Sequence, residues 1–493
     1  MNLLSTILIG LAFVAFFVFM ICRLPLFRRL GLPSKWLLLL FATKLVAAFA
    51  LVGVYQIVYE NENTGDINKY HKAGLVLYSA MEENPADYFK MVSGICADEP
   101  QLEYYYDKAD YWYKGWNYGL LNDNRTVIRY NALLDLFTQG NLWLNLIISA
   151  FVAFCGAYFL ALAMLGFCNG KRWIAVVPAF LVPSVVFWSS GMMKECLVMF
   201  SVGILMFAWT SMCRKFGVHK LLIVLLSAWL LFLSKFYVLL AMLPGLVLFA
   251  LPAKFDAKKL IVSAVAVFAL IVTLFFFSGS IFCYDLVDTI VKKQHDFINM
   301  VNFETDYSGS NIEIKELEPT FISLASALVP AYINTLFRPF VTEVDSFIKL
   351  VCCVENLVFL LLFIYMCIRF NVLNNNQLRF VLFSLSFMVL LYGLIGMTTP
   401  NLGALVRYKI PVMPFLLFSI LICTNFDLLK KLMRFRNKKA IDSVTSQTET
   451  ADNSRSLRCI GRSRNEEPKD GNLGFDYAQS AKFRNILSDL KTT

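Results

Sequence analysis

The chain has 493 residues, of which 58% are hydrophobic and 16% are charged, and its formal net charge is +10. Its apolar residues come in continuous blocks of about 20, which is the length that crosses a bilayer as a helix. The blocks lack the alternation of a membrane barrel, so the composition predicts an all-α polytopic membrane protein rather than a soluble one.

Taken in chain order, the apolar blocks predict about eleven transmembrane helices. Their approximate bounds are 3–22, 36–58, 142–167, 173–189, 195–212, 221–234, 236–252, 260–279, 346–368, 379–398 and 409–426. We therefore expect a transmembrane domain over residues 1–436. Residues 437–493 are rich in polar residues and poor in large apolar ones, which predicts a disordered tail.

Lys and Arg are concentrated in alternate short loops. These loops are 23–35, 171–172, 214–220, 254–259, 369–379 and 430–439. Because such loops stay in the cytoplasm, the N-terminus is predicted to lie outside and the tail in the cytoplasm. The positive net charge is thus assigned to membrane anchoring and not to nucleic acid binding.

A long polar loop at 59–141 follows the second predicted helix and is expected on the outer side. Near its start, Gly65–Met81 shows the pattern of an amphipathic helix lying on the membrane surface. The predicted apolar face contains Tyr70, Ala73 and Leu77, opposite Lys69 and Lys72.

Asp66 stands at the entrance of this helix, after Thr64 and Gly65. A carboxylate at this place is suited to take a proton from an acceptor hydroxyl as a general base. It is equally suited to cap the helix N-terminus. The residues alone leave both interpretations open.

The same loop contains an aromatic run, Tyr104–Tyr118, with interspersed carboxylates. Aromatic faces beside polar groups suit a sugar, which makes Asp107, Asp110 and Trp112 candidate substrate-binding residues. The alternative is a belt of Tyr and Trp at headgroup level, and both can hold together.

Several basic residues fall on the outer side, where the charge rule favours neutral loops. Guanidinium and ammonium groups around one outer cavity would bind a lipid-linked phosphate. The alternative for Lys194 and Lys235 is a salt bridge or a snorkelling side chain. The candidates are Lys194, Lys235, Arg338, Arg407 and Lys409.

A second outer segment at 280–345 contains the apolar run Phe321–Leu336. A full crossing by this run would invert all later loops, so we expect it to be interfacial or re-entrant. Cys96 and Cys283 are the two cysteines clearly on the outer side, and a disulfide between them is left open.

Lys44 and Glu355 are charged residues inside predicted membrane helices, and such residues are functional candidates. Whether the two pair is left open. The sequence contains no phosphate-binding Gly-rich loop, dinucleotide fingerprint, nucleophile elbow or paired-His motif. This pattern argues against soluble-nucleotide chemistry and against a His-rich zinc site.

Four motifs together resemble bacterial polytopic glycosyltransferases of the GT-C superfamily. They are Gly65-Asp66 with Tyr70 four residues later, the Ser189–Glu195 turn, Leu336–Phe340, and the Arg-Tyr-Lys-x-Pro-x-x-Pro run from Arg407. The resemblance covers most of the membrane region.

The resemblance implies an inner-membrane enzyme that moves a sugar from a polyprenyl-phosphate-linked donor to a glycan, lipid or protein acceptor on the outer side. It makes Asp66 the catalytic base and the five basic residues donor-phosphate ligands, with Tyr70 and Glu195 at the substrate. It implies no permanently bound cofactor and leaves open whether a divalent metal takes part. A polysaccharide polymerase is the nearest alternative, and a transporter or lipid flippase is an alternative of another class.

Overall fold

The computed structural model describes residues 2–58, 65–113, 122–252, 254–282, 284–303 and 310–426. Within these ranges the chain is mainly α-helical and forms no β-strand. The predicted tail and Cys283 lie outside the described residues, and Cys96 is an exposed free thiol.

The helices follow one another in three groups. The first group is α1 (Leu3–Arg23), α2 (Pro25–Arg28), α3 (Ser34–Val58), α4 (Asp66–Glu83), α5 (Pro85–Ser93), α6 (Glu103–Lys108) and α7 (Asp123–Thr138). The second is α8 (Leu142–Leu165), α9 (Trp173–Phe180), α10 (Pro183–Trp188), α11 (Lys194–Arg214), α12 (Val218–Ala250) and α13 (Ala257–Phe276). The third is α14 (Ser278–Phe282), α15 (Leu286–Phe303), α16 (Phe321–Phe337), α17 (Phe347–Ile368), α18 (Asn375–Thr398), α19 (Leu402–Tyr408) and α20 (Met413–Cys423).

Eight helices in the described ranges are long and apolar enough to cross a membrane. They are α1, α3, α8, α11, α12, α13, α17 and α18. The pair α19 and α20, bent by 59°, would make nine if it is one span. The all-α polytopic architecture is confirmed, whereas the count of eleven is not.

One difference lies at predicted span 173–189, which is two short helices, α9 and α10. The break falls before Pro183, the first residue of α10. Proline disfavours helical backbone in the residue that precedes it, so the chain leaves the helix here. Composition alone hides this break because the segment stays apolar throughout.

Predicted spans 221–234 and 236–252 both lie in α12, which has a non-helical residue between them at Lys235. Both ends of α12 touch the C-terminal end of α11. Lys220 Nζ donates to the Ser211 carbonyl at 2.9 Å, and Trp209 Nε1 donates to the Leu246 carbonyl at 3.2 Å.

A straight helix would separate residues 220 and 246 by about 39 Å, too far for both contacts. Lys235 contacts Glu195, at the opposite end of α11. The chain therefore folds back at Lys235, which agrees with the turn predicted there. Each arm of this hairpin is about 22 to 26 Å long, slightly short of a typical span.

The first outer loop forms a compact helical layer, which we call the first-loop layer (residues 65–113 and 122–138). The apolar face of α4 packs on α7, and Leu77, Tyr88 and Val127 are buried in the shared core. The helix predicted at 65–81 is present, but the prediction that its apolar face lies on the membrane surface was wrong. Protein covers that face instead.

The predicted interfacial or re-entrant run at 321–336 is the 17-residue helix α16, which packs along α18. Tyr332 donates to the Val389 carbonyl at 2.8 Å. A Cβ at Gly396 would lie 2.3 Å from the Ala331 carbonyl oxygen, so only glycine permits this approach. The structure contains no membrane, so the placement of α16 in the bilayer stays a prediction.

Candidate functional site

Three ion pairs lie where the first-loop layer meets the membrane helices. Asp66 Oδ2 of α4 is 2.7 Å from the Arg407 guanidinium of α19. Two further pairs join neighbouring elements: Lys194 Nζ to Asp123 Oδ2 at 2.8 Å, and Lys235 Nζ to Glu195 Oε1 at 2.9 Å. We call these six residues the charge cluster.

The three pairs act on one another, as Tyr70 shows. The Tyr70 hydroxyl donates to Asn124 Oδ1 at 3.1 Å and is buried. Burial raises the pKa of Tyr70 well above its ordinary value, and the fields of Asp66, Asp123 and Glu195 raise it further. All three carboxylates therefore lie within electrostatic range of one hydroxyl, as a single cluster requires.

Two glycines of the predicted motifs hold the cluster's backbone in place. A Cβ at Gly65, the N-cap of α4, would lie 2.9 Å from the Tyr55 ring. A Cβ at Gly191, in the turn before Lys194, would lie 2.6 Å from Leu51 Cδ2. At both motifs α3 passes so close that an added side chain would make Tyr55 or Leu51 shift.

The cap of α4 also settles one alternative for Asp66. Asp66 is the first helical residue rather than the N-cap. Its carboxylate accepts hydrogen bonds from two side chains: Oδ2 accepts from Arg407, and Oδ1 accepts from the Tyr111 hydroxyl at 3.3 Å. The negative charge in the first turn still interacts favourably with the helix dipole.

Aromatic rings surround the charges. The Arg407 guanidinium carbon lies 5.7 Å from the Trp188 ring centre, and its NH1 is 3.4 Å from the Tyr55 hydroxyl. Lys235 Nζ lies 4.3 Å from the Tyr408 ring centre. Such cation–π contacts attract the charged groups to the ring faces.

The charge cluster is graded from open to buried. The Asp66 and Arg407 side chains are 28% and 20% exposed, whereas Glu195 and Lys235 are 5% and 3% exposed. A ligand entering from solvent would therefore meet Asp66 and Arg407 first. Glu195 and Lys235 form the floor.

The environment keeps Asp66 ionised. Burial by itself would raise the pKa of Asp66, but Arg407, Lys194 and Lys69 together hold it below its ordinary value. A carboxylate with a lowered pKa is a weak proton acceptor. As long as Arg407 stays on Asp66, the geometry favours an ion pair over a strong base.

No protein-family model, curated protein or solved structure matches the chain. The GT-C resemblance therefore continues to rest on the four motifs.

Two of the five predicted basic residues do not join the charge cluster. Lys409 Nζ donates to Asn356 Oδ1 at 2.9 Å and to the Arg338 carbonyl at 3.3 Å. The Arg338 side chain faces Glu343, with Nε 3.4 Å from the carboxylate. The end of α19 thus directs Arg407 and Lys409 to different neighbours, and the role of the five residues in donor binding stays a prediction.

The aromatic run has a structural role in the described residues. Trp112 is buried and stacks on Tyr106 with ring centres 4.3 Å apart, beneath Arg125. It is therefore a core residue of the first-loop layer and not an open stacking face for a sugar. Asp107 and Asp110 are exposed, and residues 114–118 of the run lie outside the described part.

The two intramembrane charges do not pair with each other. Lys44 Nζ donates to the Ser189 hydroxyl at 2.7 Å. Glu355 Oε2 accepts from the Ser184 amide at 3.0 Å and from its hydroxyl at 2.6 Å. Both groups are buried, and each is held by a hydroxyl in the segment 183–189.

Sequence reasoning missed Asp123, which pairs with Lys194, and Asn124, which binds Tyr70. Both stand at the start of α7, where Asn122 is the N-cap. A carboxylate at an outer helix start was the signal that singled out Asp66, and the same test would have found Asp123. In the described part, no group of three His, Cys, Asp or Glu side chains is arranged to hold a metal ion.

Proposed function

We propose that the protein is a membrane glycosyltransferase that moves a sugar from a polyprenyl-phosphate-linked donor to a glycan, lipid or protein acceptor on the extracytoplasmic side of a bacterial inner membrane. The observation that carries the proposal is Asp66 in contact with Arg407, with Lys194 and Lys235 in the same cluster. The cluster contains three cations and three carboxylates, and Asp66 is the proposed base among them.

The chemistry needs two functions side by side. An acceptor hydroxyl gives its proton to Asp66 while its oxygen bonds to the anomeric carbon of the sugar. The bond between that carbon and the phosphate oxygen breaks, and the electron pair stays on the departing polyprenyl phosphate. Cations beside this phosphate stabilise the charge that develops on it.

The contacts narrow the proposed phosphate ligands to Lys194, Lys235 and Arg407. Lys409 is buried and bound to Asn356, and Arg338 faces Glu343. Neither contacts the charge cluster in the described residues, so the proposal gives them no direct part in donor binding. Tyr70 and Glu195 stay in the proposal as groups that shape the substrate site.

The site is at the end of α11 opposite its basic loop. Lys194 begins α11 and Arg214 ends it, so the two ends are about 30 Å apart, which is the thickness of a bilayer core. If the loop containing Arg214 is cytoplasmic, as the charge rule predicts, the charge cluster faces outward.

The test is sugar transfer by the purified full chain in lipid vesicles. The donor is a polyprenyl-phosphate sugar labelled in the sugar, and membranes from a strain lacking the protein supply the acceptor. We expect label to leave the donor only when the protein is present. Binding of the donor together with complete retention of label on it would contradict the proposal.

A polysaccharide polymerase uses the same chemistry on longer lipid-linked donors. Glycan length distinguishes the two activities. In a polymerase-deletion strain, a ladder of glycan lengths collapses to one repeat, whereas loss of a single-sugar transferase shortens every chain by one residue.

A transporter or lipid flippase is the candidate of another class, and the buried Lys44 and Glu355 favour it. Ionisable groups inside membrane helices often mark transport pathways. A transporter must open to each side in turn. Cysteine labels at the charge cluster that become accessible from the cytoplasmic side during turnover would favour this class.

A further inference from the structure

We propose that Arg407 is a switch on Asp66: a phosphate-bearing ligand takes the guanidinium from the Asp66 carboxylate, and this exchange frees the carboxylate to accept a proton. The inference rests on the proposed function and adds a mechanism of activation to it. The phosphate and the Asp66 carboxylate then compete for one cation, Arg407. Asp66 acts as a base only while the phosphate-bearing ligand is bound.

The contacts of Asp66 are the first step of the argument. Oδ2 accepts a hydrogen bond from Arg407 and Oδ1 accepts one from Tyr111, so each oxygen keeps a second lone pair. A proton therefore has a place to bind, but the bond to a cation lowers the affinity of the carboxylate for that proton. In the structure the stronger partner, a charge-assisted hydrogen bond of 2.7 Å, holds one of these oxygens.

Charge balance is the second step. The charge cluster contains three cations and three carboxylates, and each cation already has a carboxylate partner. A phosphate that binds one of these three cations therefore competes with its carboxylate.

Exposure decides which carboxylate is displaced. Glu195 and Lys235 are almost fully buried, and separating them would leave two uncompensated charges away from water. The other two pairs are more open: Asp66 and Arg407 are 28% and 20% exposed, and Asp123 and Lys194 are 21% and 15% exposed. The guanidinium fork also matches two phosphate oxygens at once, which an ammonium group does not. Arg407 is thus the cation that a phosphate takes most readily.

The consequence for Asp66 follows from its surroundings. Burial and Arg407 act on the Asp66 pKa in opposite directions. When the guanidinium of Arg407 moves away to bind a phosphate, it stabilises the Asp66 carboxylate less, whereas the burial of Asp66 is unchanged. The pKa of Asp66 then rises towards the range where a carboxylate works as a base.

The experiment measures phosphate affinity in a variant that should be catalytically dead. The full-length protein in detergent is titrated with geranyl phosphate, with inorganic phosphate and with geraniol, which lacks the phosphate. We expect Asp66→Asn to bind geranyl phosphate about tenfold more tightly than the wild type, equivalent to about 1.4 kcal/mol. The reason is that the variant no longer competes for Arg407.

Glu82→Gln is the matched control, since it removes one negative charge from the exposed end of the same helix, α4. It should leave the affinity unchanged. In Arg407→Gln, which removes the contested cation, adding Asp66→Asn should no longer tighten binding by this route. If Asp66→Asn also tightens the binding of inorganic phosphate, the phosphate group suffices for the exchange. If it tightens the binding of geranyl phosphate alone, the ligand is a lipid-linked phosphate.

The inference is overturned if Asp66→Asn binds geranyl phosphate as the wild type does, or more weakly, or if the wild type binds neither phosphate. Asp66→Ser serves as the second variant if the first does not fold. Sugar transfer, measured on the same samples, separates the two proposals. If Asp66→Asn loses transfer but binds with the affinity of the wild type, only the switch is removed. If Asp66→Asn binds more tightly but the wild type transfers no sugar, only the proposed enzyme is removed.

Discussion

Removing one partner of the buried pair of Lys235 and Glu195 should cost more stability than removing one partner of the more open pairs of the charge cluster. At 2.9 Å and an effective dielectric constant of about 20, their attraction is about 6 kcal/mol. Both charges also lose hydration, so breaking such a pair by removing one partner costs about 3 to 5 kcal/mol. We expect Lys235→Met to lower the free energy of unfolding by that amount, because Glu195 would stay buried and uncompensated.

The measurement is reversible unfolding in mixed micelles, followed by tryptophan fluorescence as the fraction of denaturing detergent increases. The control is Lys194→Met, whose pair with Asp123 is 15% and 21% exposed and should be worth about 1 kcal/mol or less. The double variant Lys235→Met with Glu195→Gln should recover most of the loss. If Lys235→Met costs no more than Lys194→Met, the assignment of a tightly coupled buried pair is wrong.

Three further changes test how the site is held. Gly65→Ala should push the Tyr55 ring aside, since the new Cβ would lie 2.9 Å from it. Thermal stability and phosphate affinity should both fall. Unchanged values would contradict the packing argument. Thr126→Val removes the 2.8 Å hydrogen bond to the Leu233 carbonyl beside the reversal in α12, and unfolding titrations should show a loss of about 1 to 2 kcal/mol rather than none. Burial raises the pKa of Asp135 from 3.8 to about 6, so its ionisation opposes folding as the pH rises through that range. Asp135→Asn should therefore be more stable than the wild type at pH 8 and equally stable below about pH 4. A stability difference that does not change with pH would refute this.

The charge pattern located the candidate residues but not their partners. Asp66 and Arg407 were both singled out from the sequence, although 341 positions separate them. Alternation of basic and neutral loops indicates which residues share a side of the membrane. It carries no information on which of them touch, because that depends on how the helices pack.

Local sequence patterns predicted where helices form more reliably than they predicted what packs against those helices. The amphipathic pattern of α4 predicted a helix with an apolar face but did not reveal that α7 covers this face. Hydropathy likewise showed a continuous apolar block at 173–189 and did not register the break before Pro183. A proline test would have found that break, whereas the packing of α7 on α4 requires three-dimensional information.

The role of Asp66 in sugar transfer is tested most directly by single-turnover rates. Wild type, Asp66→Asn and Glu82→Gln are each saturated with labelled polyprenyl-phosphate sugar in vesicles, and transfer to acceptor is followed over time. A general base contributes about 10² to 10⁴ in rate. We expect Asp66→Asn to be slower by at least about 10², with donor still bound, and Glu82→Gln to match the wild type. Undiminished transfer by Asp66→Asn, in a protein that inserts normally, would contradict the assignment of Asp66 as the base.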